Sequence, residues 1–402
     1  MTLPQTRLAT RPEAFASHHR EARRLRQTNS LKSSLVAIPA ALLAASISAQ
    51  TPGPLYVDQG LLYFLGVLLL TFPPVLLLTL AIHEGGHLLG AAVAGLEFRV
   101  VTVGPFRLAR ELGGLRLRLL RQPLLQWQGN AFCLAPAEPA RQRHLRPRLS
   151  LFLLGGPLAT LGQTAVFLSL RAHLAGDLIP GWQAQLLFLL TYFPLAILPF
   201  TLLPLRLRGI MTDAAQLLAL WRRQERAAGH IAANLLISAS VRGVRPRDLD
   251  QDALETLLTQ SNDETRLTGG YLGSLKALDA NNPALAASYL DGALQTAAAQ
   301  PGRRPPASHI LLAALLEARH GGETAVARQW LNLLPTTHNQ TFAVELNQLL
   351  WQTKAAIYRA EGQLPQAHAA AHHSLHLLNQ TIDAGYAIAA RDHLQEILTI
   401  DD

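Results

Sequence analysis

The sequence predicts a mainly α-helical protein: a polytopic transmembrane helical core carrying a small β-hairpin insertion, followed by a soluble all-α domain of repeat-like helical hairpins. Three observations carry this. The 402-residue chain is 49% hydrophobic and only 15% charged, with a mean hydropathy of +0.17, high for a soluble chain of this length. Its charge is split: residues 1–230 hold 23 Lys and Arg against 10 Asp and Glu, a net of +13, while residues 231–402 hold 12 against 17, a net of −5. Apolar residues in the first part form runs long enough to cross a bilayer, whereas the second part is Ala/Leu-rich with interspersed Gln, His and charges, the composition of packed amphipathic helices.

The basic excess reads as membrane topology and excludes nucleic acid as a partner, because the arginines flank apolar spans and form no aromatic-interleaved patch. The single cysteine, Cys133, excludes an intramolecular disulfide and a Cys-based metal cluster, and it suits a cytoplasmic soluble face.

Residues 1–32 form a polar, basic segment (Arg7, Arg11, Arg20, Arg23, Arg24, Arg26, Lys32), read as cytoplasmic. A first span over about Ser33–Gln50 follows. Small residues at 46–49 mimic a signal-peptidase site, but the preceding polar region is too long for a signal peptide, so the span reads as an anchor. The next apolar stretch, Gly60–Leu96, exceeds the ~20 residues one crossing needs. Pro73-Pro74 predicts a kinked or broken helix there, its second part running from Pro74 to about Ala94 and returning to the cytoplasm.

Between about 98 and 135 the period changes to two. Phe106–Arg110 and Leu115–Leu119, separated by Gly113-Gly114, read as a hairpin with leucines on one face and arginines on the other. It either lies on the membrane surface or is an ordinary solvated hairpin. Arg141, Arg143, Arg146 and Arg148 precede a third span at about Leu149–Leu170, and a fourth runs from Trp182 to about Pro204. Arg206, Arg208, Arg222 and Arg223 mark the return to the cytoplasm. The core is thus 33–227 and the soluble domain 228–402, an integral protein of a bacterial-type inner or plasma membrane with both termini cytoplasmic.

One pentad interrupts the second apolar stretch: His83-Glu84-Gly85-Gly86-His87. Glu84 is the only charged side chain between Asp58 and Glu97, and a charge on a membrane helix costs at least ~2.5–3.5 kcal/mol unless it serves a function. Histidines at i and i+4 share a helix face, so both imidazoles converge on one metal ion while Glu84 reaches a water on it. The competing readings are a soluble core helix with incidental polar residues, or a degenerate site without metal. Gly85, Gly86 and Gly90 are expected to let a neighbouring helix pack closely. A catalytic metal needs a third protein ligand. Asp177 lies on the opposite side and Glu97, Glu111 and Glu138 lie in or beside the hairpin. Asp213, just past the fourth span on the pentad's side, is the strongest candidate, with a helix N-cap role open to it and to Thr212.

Over about residues 60–220 the chain resembles the site-2 protease family of intramembrane zinc metalloproteases. The resemblance rests on the pentad, on Gly155-Gly156-Pro157-Leu158-Ala159-Thr160, similar to that family's Gly-Pro motif, and on Phe200-Thr201-Leu202-Leu203-Pro204 followed by Asp213, similar to its Leu-Pro segment leading to an aspartate ligand. It implies a Zn2+ ion held by His83, His87 and Asp213, and Glu84 as general base in hydrolysis of a single-pass transmembrane substrate, as in regulated intramembrane proteolysis. It also implies a substrate-orienting or oxyanion-stabilising role at Thr160 and Thr201. The chain departs from the family pattern: Thr160 and Thr201 stand where asparagine is usual, Ala214 where glycine is usual, and the stretch from Pro204 to Asp213 is longer. The alternative is a catalytically inactive homologue acting as a membrane scaffold.

In the soluble half, Leu278–Pro283, Glu317–Gly322 and Arg359–Gln363 read as turns between paired helices recurring at roughly 40 residues, resembling tetratricopeptide-type hairpins. A plain helical bundle is the alternative. Pro301–Pro306 marks a loop. His368 and His372 have i, i+4 spacing but no acid between them, and read as a solvated helix face. Helical-repeat surfaces bind proteins or peptides, so a protein or peptide partner is expected here, besides the lipid bilayer around the core.

Overall fold

The computed structural model describes residues 7–15, 61–120, 124, 127–174, 181–207, 210–222, 224–261, 263–300, 304–334 and 344–399. The expected first span, 33–50, lies outside them. The chain divides into two compact bodies, one of Arg26–Leu108 and Leu117–Arg222, the other of Met1–Leu25, Ala109–Arg116 and Arg223–Asp402.

The first body begins with α1 (Leu61–Ala94), which runs unbroken through Pro73 and Pro74 instead of dividing there. The prolines remove two backbone donors and with them the helix bonds to the carbonyls four residues earlier, while the residues on both sides are apolar. At 34 residues α1 is about 51 Å long, more than the ~30 Å hydrocarbon core requires. A four-stranded antiparallel insertion follows: β1 (Glu97–Val103), β2 (Phe106–Glu111), β3 (Gly114–Leu119) and β4 (Gly129–Leu134), in the order β3-β2-β1-β4. The β2–β3 hairpin is the expected one. Its partners β1 and β4 lie within the same period-two stretch, of which the sequence reading singles out only the hairpin, and β1 carries a register shift between Phe98 and Val100 where it pairs with β4. Leu115, Leu117 and Leu119 are exposed along β3.

Two long helices complete this body's apolar part, α2 (Leu145–His173) and α3 (Gly181–Leu202). Among the described residues, three segments are long and apolar enough to cross a membrane: Leu69–Ala94, Leu145–His173 and Trp182–Pro199. A two-residue ribbon, β5 (Arg206–Leu207) with β6 (Ile210–Met211), leads into α4 (Asp213–Arg222).

Glycines set the approach of α1 to α2. A Cβ at Gly86 would overlap the Gly155 carbonyl and the Ala159 methyl, and one at Gly90 would overlap the Leu151 carbonyl, so both are in backbone contact with α2. Gly85 does not share this role: nothing lies within 4 Å of its missing Cβ. Gln163 donates to the Thr79 hydroxyl at 3.2 Å across the same interface. Arg148 donates to the Ala94 carbonyl, so one arginine of the basic cluster caps the C-terminus of α1.

The second body is helical: α5 (Gln224–Val241), α6 (Gln251–Leu258), α7 (Asp263–Asp279), α8 (Pro283–Ala298), α9 (Ala307–Leu316), α10 (Thr324–Asn332), α11 (Val344–Ala360), α12 (Leu364–Leu378) and α13 (Ala384–Thr399). The three expected turns join α7 to α8, α9 to α10 and α11 to α12. Each holds one left-handed residue, Asn281 (φ 55°), Gly322 (φ 69°) and Gly362 (φ 73°). That is the residue type such a helix end requires, and its recurrence every 40 or 41 positions makes the repeat visible in the backbone. The core is a continuous cluster including Leu290, Leu294, Ile310, Leu316, Trp330, Ile357 and Leu394.

Residues 7–15 belong to the polar, basic N-terminal segment. They lie on this helical body, ending in a short 3-10 turn (Pro12–Phe15), with Leu8 and Phe15 inside the same core cluster. Two apolar anchors eight positions or fewer apart outweigh the solvation of the arginines, whose charges find carboxylates on the same surface.

Candidate metal centre

His83, Glu84 and His87 occupy adjoining turns of α1, and their donor atoms all lie within 4.8 Å of one another. All three side chains are buried. The two rings stand nearly perpendicular, with centroids 4.8 Å apart.

The outer nitrogen of each ring is fixed by α2. His87 Nδ1 lies 2.7 Å from the Phe152 carbonyl oxygen, which only accepts, so Nδ1 carries the proton and the Nε2 lone pair is left free. His83 Nδ1 lies 2.8 Å from Thr160 Oγ1. That hydroxyl donates to the Gly156 carbonyl at 3.1 Å, so toward His83 it accepts, and the same tautomer follows. Thr160 is fully buried, with its hydroxyl between His83 and the Gly156 carbonyl. Gly156 makes room for the ring: a Cβ there would overlap the His87 imidazole.

Asp213 completes the cluster. Its Oδ2 lies 3.3 Å from His83 Nε2 and 3.5 Å from His87 Nε2. A charge-assisted hydrogen bond would be shorter, near 2.8 Å, and would need the Nε2 protons that the tautomers exclude. These separations bring the carboxylate close enough to both imidazoles that the three side chains would be able to share one ion. The helix-capping role falls to Thr212 instead. Its hydroxyl accepts from Ala215 N–H at 3.3 Å and donates to the Leu203 carbonyl at 2.7 Å, tying the α3–α4 connection together and leaving Asp213 free. Trp221 Nε1 donates to Ser150 Oγ at 2.8 Å and pins the far end of α4 on α2.

Glu84 is 4% exposed and its Oε2 is buried with no hydrogen-bond partner. An orphaned buried carboxylate oxygen is costly, and a water on a metal held by the neighbouring ligands is the partner that would satisfy it. The residues present therefore fit a metal. Gly129, the first residue of β4, sits against this carboxylate so closely that a Cβ there would overlap it. Nothing in the sequence around Gly129 announces that approach. Thr201 is not brought to the cluster: its hydroxyl donates to the Leu198 carbonyl at 3.0 Å within α3, and among the described residues it meets none of His83, Glu84, His87 or Asp213.

Compared with known proteins, the chain matches no family model, no curated protein and no solved structure, so its functional reading rests on this site.

Proposed function

We propose that the protein is an intramembrane zinc metalloendopeptidase that cleaves transmembrane segments of single-pass membrane proteins. One observation carries the reading: a carboxylate from a distant helix meets the free Nε2 atoms of a His-Glu-x-x-His pair at 3.3 and 3.5 Å, on an apolar helix long enough to span a bilayer. His83, His87 and Asp213 hold the metal. When bound, zinc supplies Lewis acidity toward a water and a scissile carbonyl. Glu84 takes the proton of the attacking water and delivers it to the leaving amine.

A membrane helix shields its own carbonyls, so a substrate must unwind locally before attack. β4 is an edge strand whose Gly129 abuts Glu84, and an extended substrate segment pairing along that edge would pass the catalytic carboxylate. The docking of residues 7–15 on the helical body supports both termini lying on one side of the membrane.

Detergent-purified protein is expected to hold about one zinc per chain, lost in Asp213→Ala, because two imidazoles alone leave the metal short of its usual three protein ligands. Elemental analysis reads this, and wild type without zinc removes the proposal in favour of an inactive scaffold. Thr160→Val, nearly isosteric, strips His83 Nδ1–H of its acceptor and is expected to weaken zinc binding about 10–100-fold. Chelator competition measures it; unchanged affinity would remove the orienting role.

A further inference from the structure

We propose that the groove holding residues 7–15 is an exchangeable recognition site for short cationic-apolar segments of the kind that flank membrane spans on their cytoplasmic side, and that the chain's own N-terminus occupies it as a competing ligand. The contacts resemble a bound peptide more than a buried structural strand. Leu8 and Phe15 are the anchors, 1% and 2% exposed, and the Phe15 ring packs 6.0 Å from that of Trp330 on α10.

Between the anchors the backbone is read by carboxylates. Leu8 N–H donates to Glu317 Oε1 at 3.1 Å, and Ala9 and Thr10 N–H donate to the two Asp291 oxygens at 2.8 and 2.9 Å. Such bonds are made to the backbone of residues 8–10 and do not depend on its side chains. Two arginines then add sequence preference: Arg7 pairs with Glu323 at 2.9 Å, and Arg11 lies 3.5 Å from Glu323 and 3.6 Å from Glu317.

The receptor side is built around groups that need an occupant. Glu317 is fully buried, and its second oxygen has no partner even with the segment in place. A carboxylate held there by nothing but a peptide N–H and a guanidinium is poorly suited to a permanent core. The ligand chemistry is an apolar anchor beside Arg, a second Arg four positions after the first, and an aromatic anchor four positions beyond that. Cytoplasmic flanks of membrane spans are rich in Lys and Arg next to apolar residues, so they carry the same features. Naming such flanks as the second occupant rests on the proposed proteolysis; the groove itself rests on the contacts alone.

Binding is read apart from cleavage. The probe is a fluorescein-labelled synthetic peptide copying residues 4–16, titrated by polarisation against the full chain in detergent. Wild type is expected to bind it weakly, because a tethered competitor acts at roughly millimolar effective concentration. The double variant Arg7→Glu/Arg11→Glu, which loosens the tethered copy while keeping its anchors, should bind the probe at least about tenfold more tightly. Adding Asp291→Asn to that variant should abolish the gain, and a scrambled peptide should not compete. Equal affinity for wild type and the double variant overturns the proposal. Should the double variant unfold, a protease site placed between residues 16 and 32 of the wild-type chain keeps the test open. After cutting, the released segment should exchange for labelled peptide, and a segment that stays bound through extended dialysis against excess peptide overturns exchangeability. Loss of cleavage with normal probe exchange would count against the proteolysis and not against the groove.

Discussion

Glu84→Gln leaves zinc bound at the wild-type level and lowers cleavage of a single-pass membrane substrate by about 10²–10⁴-fold, the contribution of a positioned general base. The separation follows from geometry. On the proposed reading His83, His87 and Asp213 would hold the metal, while Glu84, which lies among the same donor atoms and keeps a partnerless oxygen, would act on the water. Glutamine keeps the shape of the side chain beside Gly129, so α1 and β4 are expected to keep their packing. It gives up the negative charge and the basic oxygen that accept the proton. Zinc content and reporter cleavage measured on the same preparation check this. Cleavage at the wild-type rate would remove Glu84 from the chemistry, and loss of zinc would make it a ligand instead.

Two adjacent glycines give the second large effect, with opposite signs. Gly86→Ala drives one methyl into the Gly155 carbonyl and Ala159, where backbone must move. Overpacking of this kind costs about 1–3 kcal/mol and more when helices separate. Separation of α1 from α2 also pulls His83 from Thr160 and His87 from Phe152, so the variant should melt earlier and lose zinc affinity together. Gly85→Ala points into open space and gains helix propensity of up to about 1 kcal/mol, so its melting temperature should hold or rise. Thermal melts of both variants with and without chelator decide it. Equal destabilisation at the two positions would mean that the α1–α2 contact is not the one described.

The contrast between Gly85 and Gly86 also marks the limit of sequence reading here. Both letters sit in the same pentad, and the sequence assigned them one packing role. Only the placement of α2 on one face of α1 separates them. The same holds for the prolines. Pro73-Pro74 predicted a break, yet α1 runs through both prolines, and no local letter distinguishes a kinked helix from a continuous one.

What the sequence determined by itself are the features written in residue type and period. These are the apolar spans, the shared face of His83 and His87, the β2–β3 hairpin, and the three turns whose left-handed residues recur every 40 or 41 positions. Asp213 was legible too, since counting spans puts it on the pentad's side. The tertiary structure alone decided the rest. The acceptor for His87 is a backbone carbonyl at Phe152, and a carbonyl looks alike under every residue letter. Thr160 meets His83 because α2 brings it there, while Thr201, similar by motif, turned its hydroxyl into its own helix. Residues 7–15 read only as part of a polar, basic segment, with no packing partner legible in their letters. Their fate depended on acids at 291, 317 and 323, about 280 to 315 positions away along the chain, a distance over which composition and periodicity carry no information.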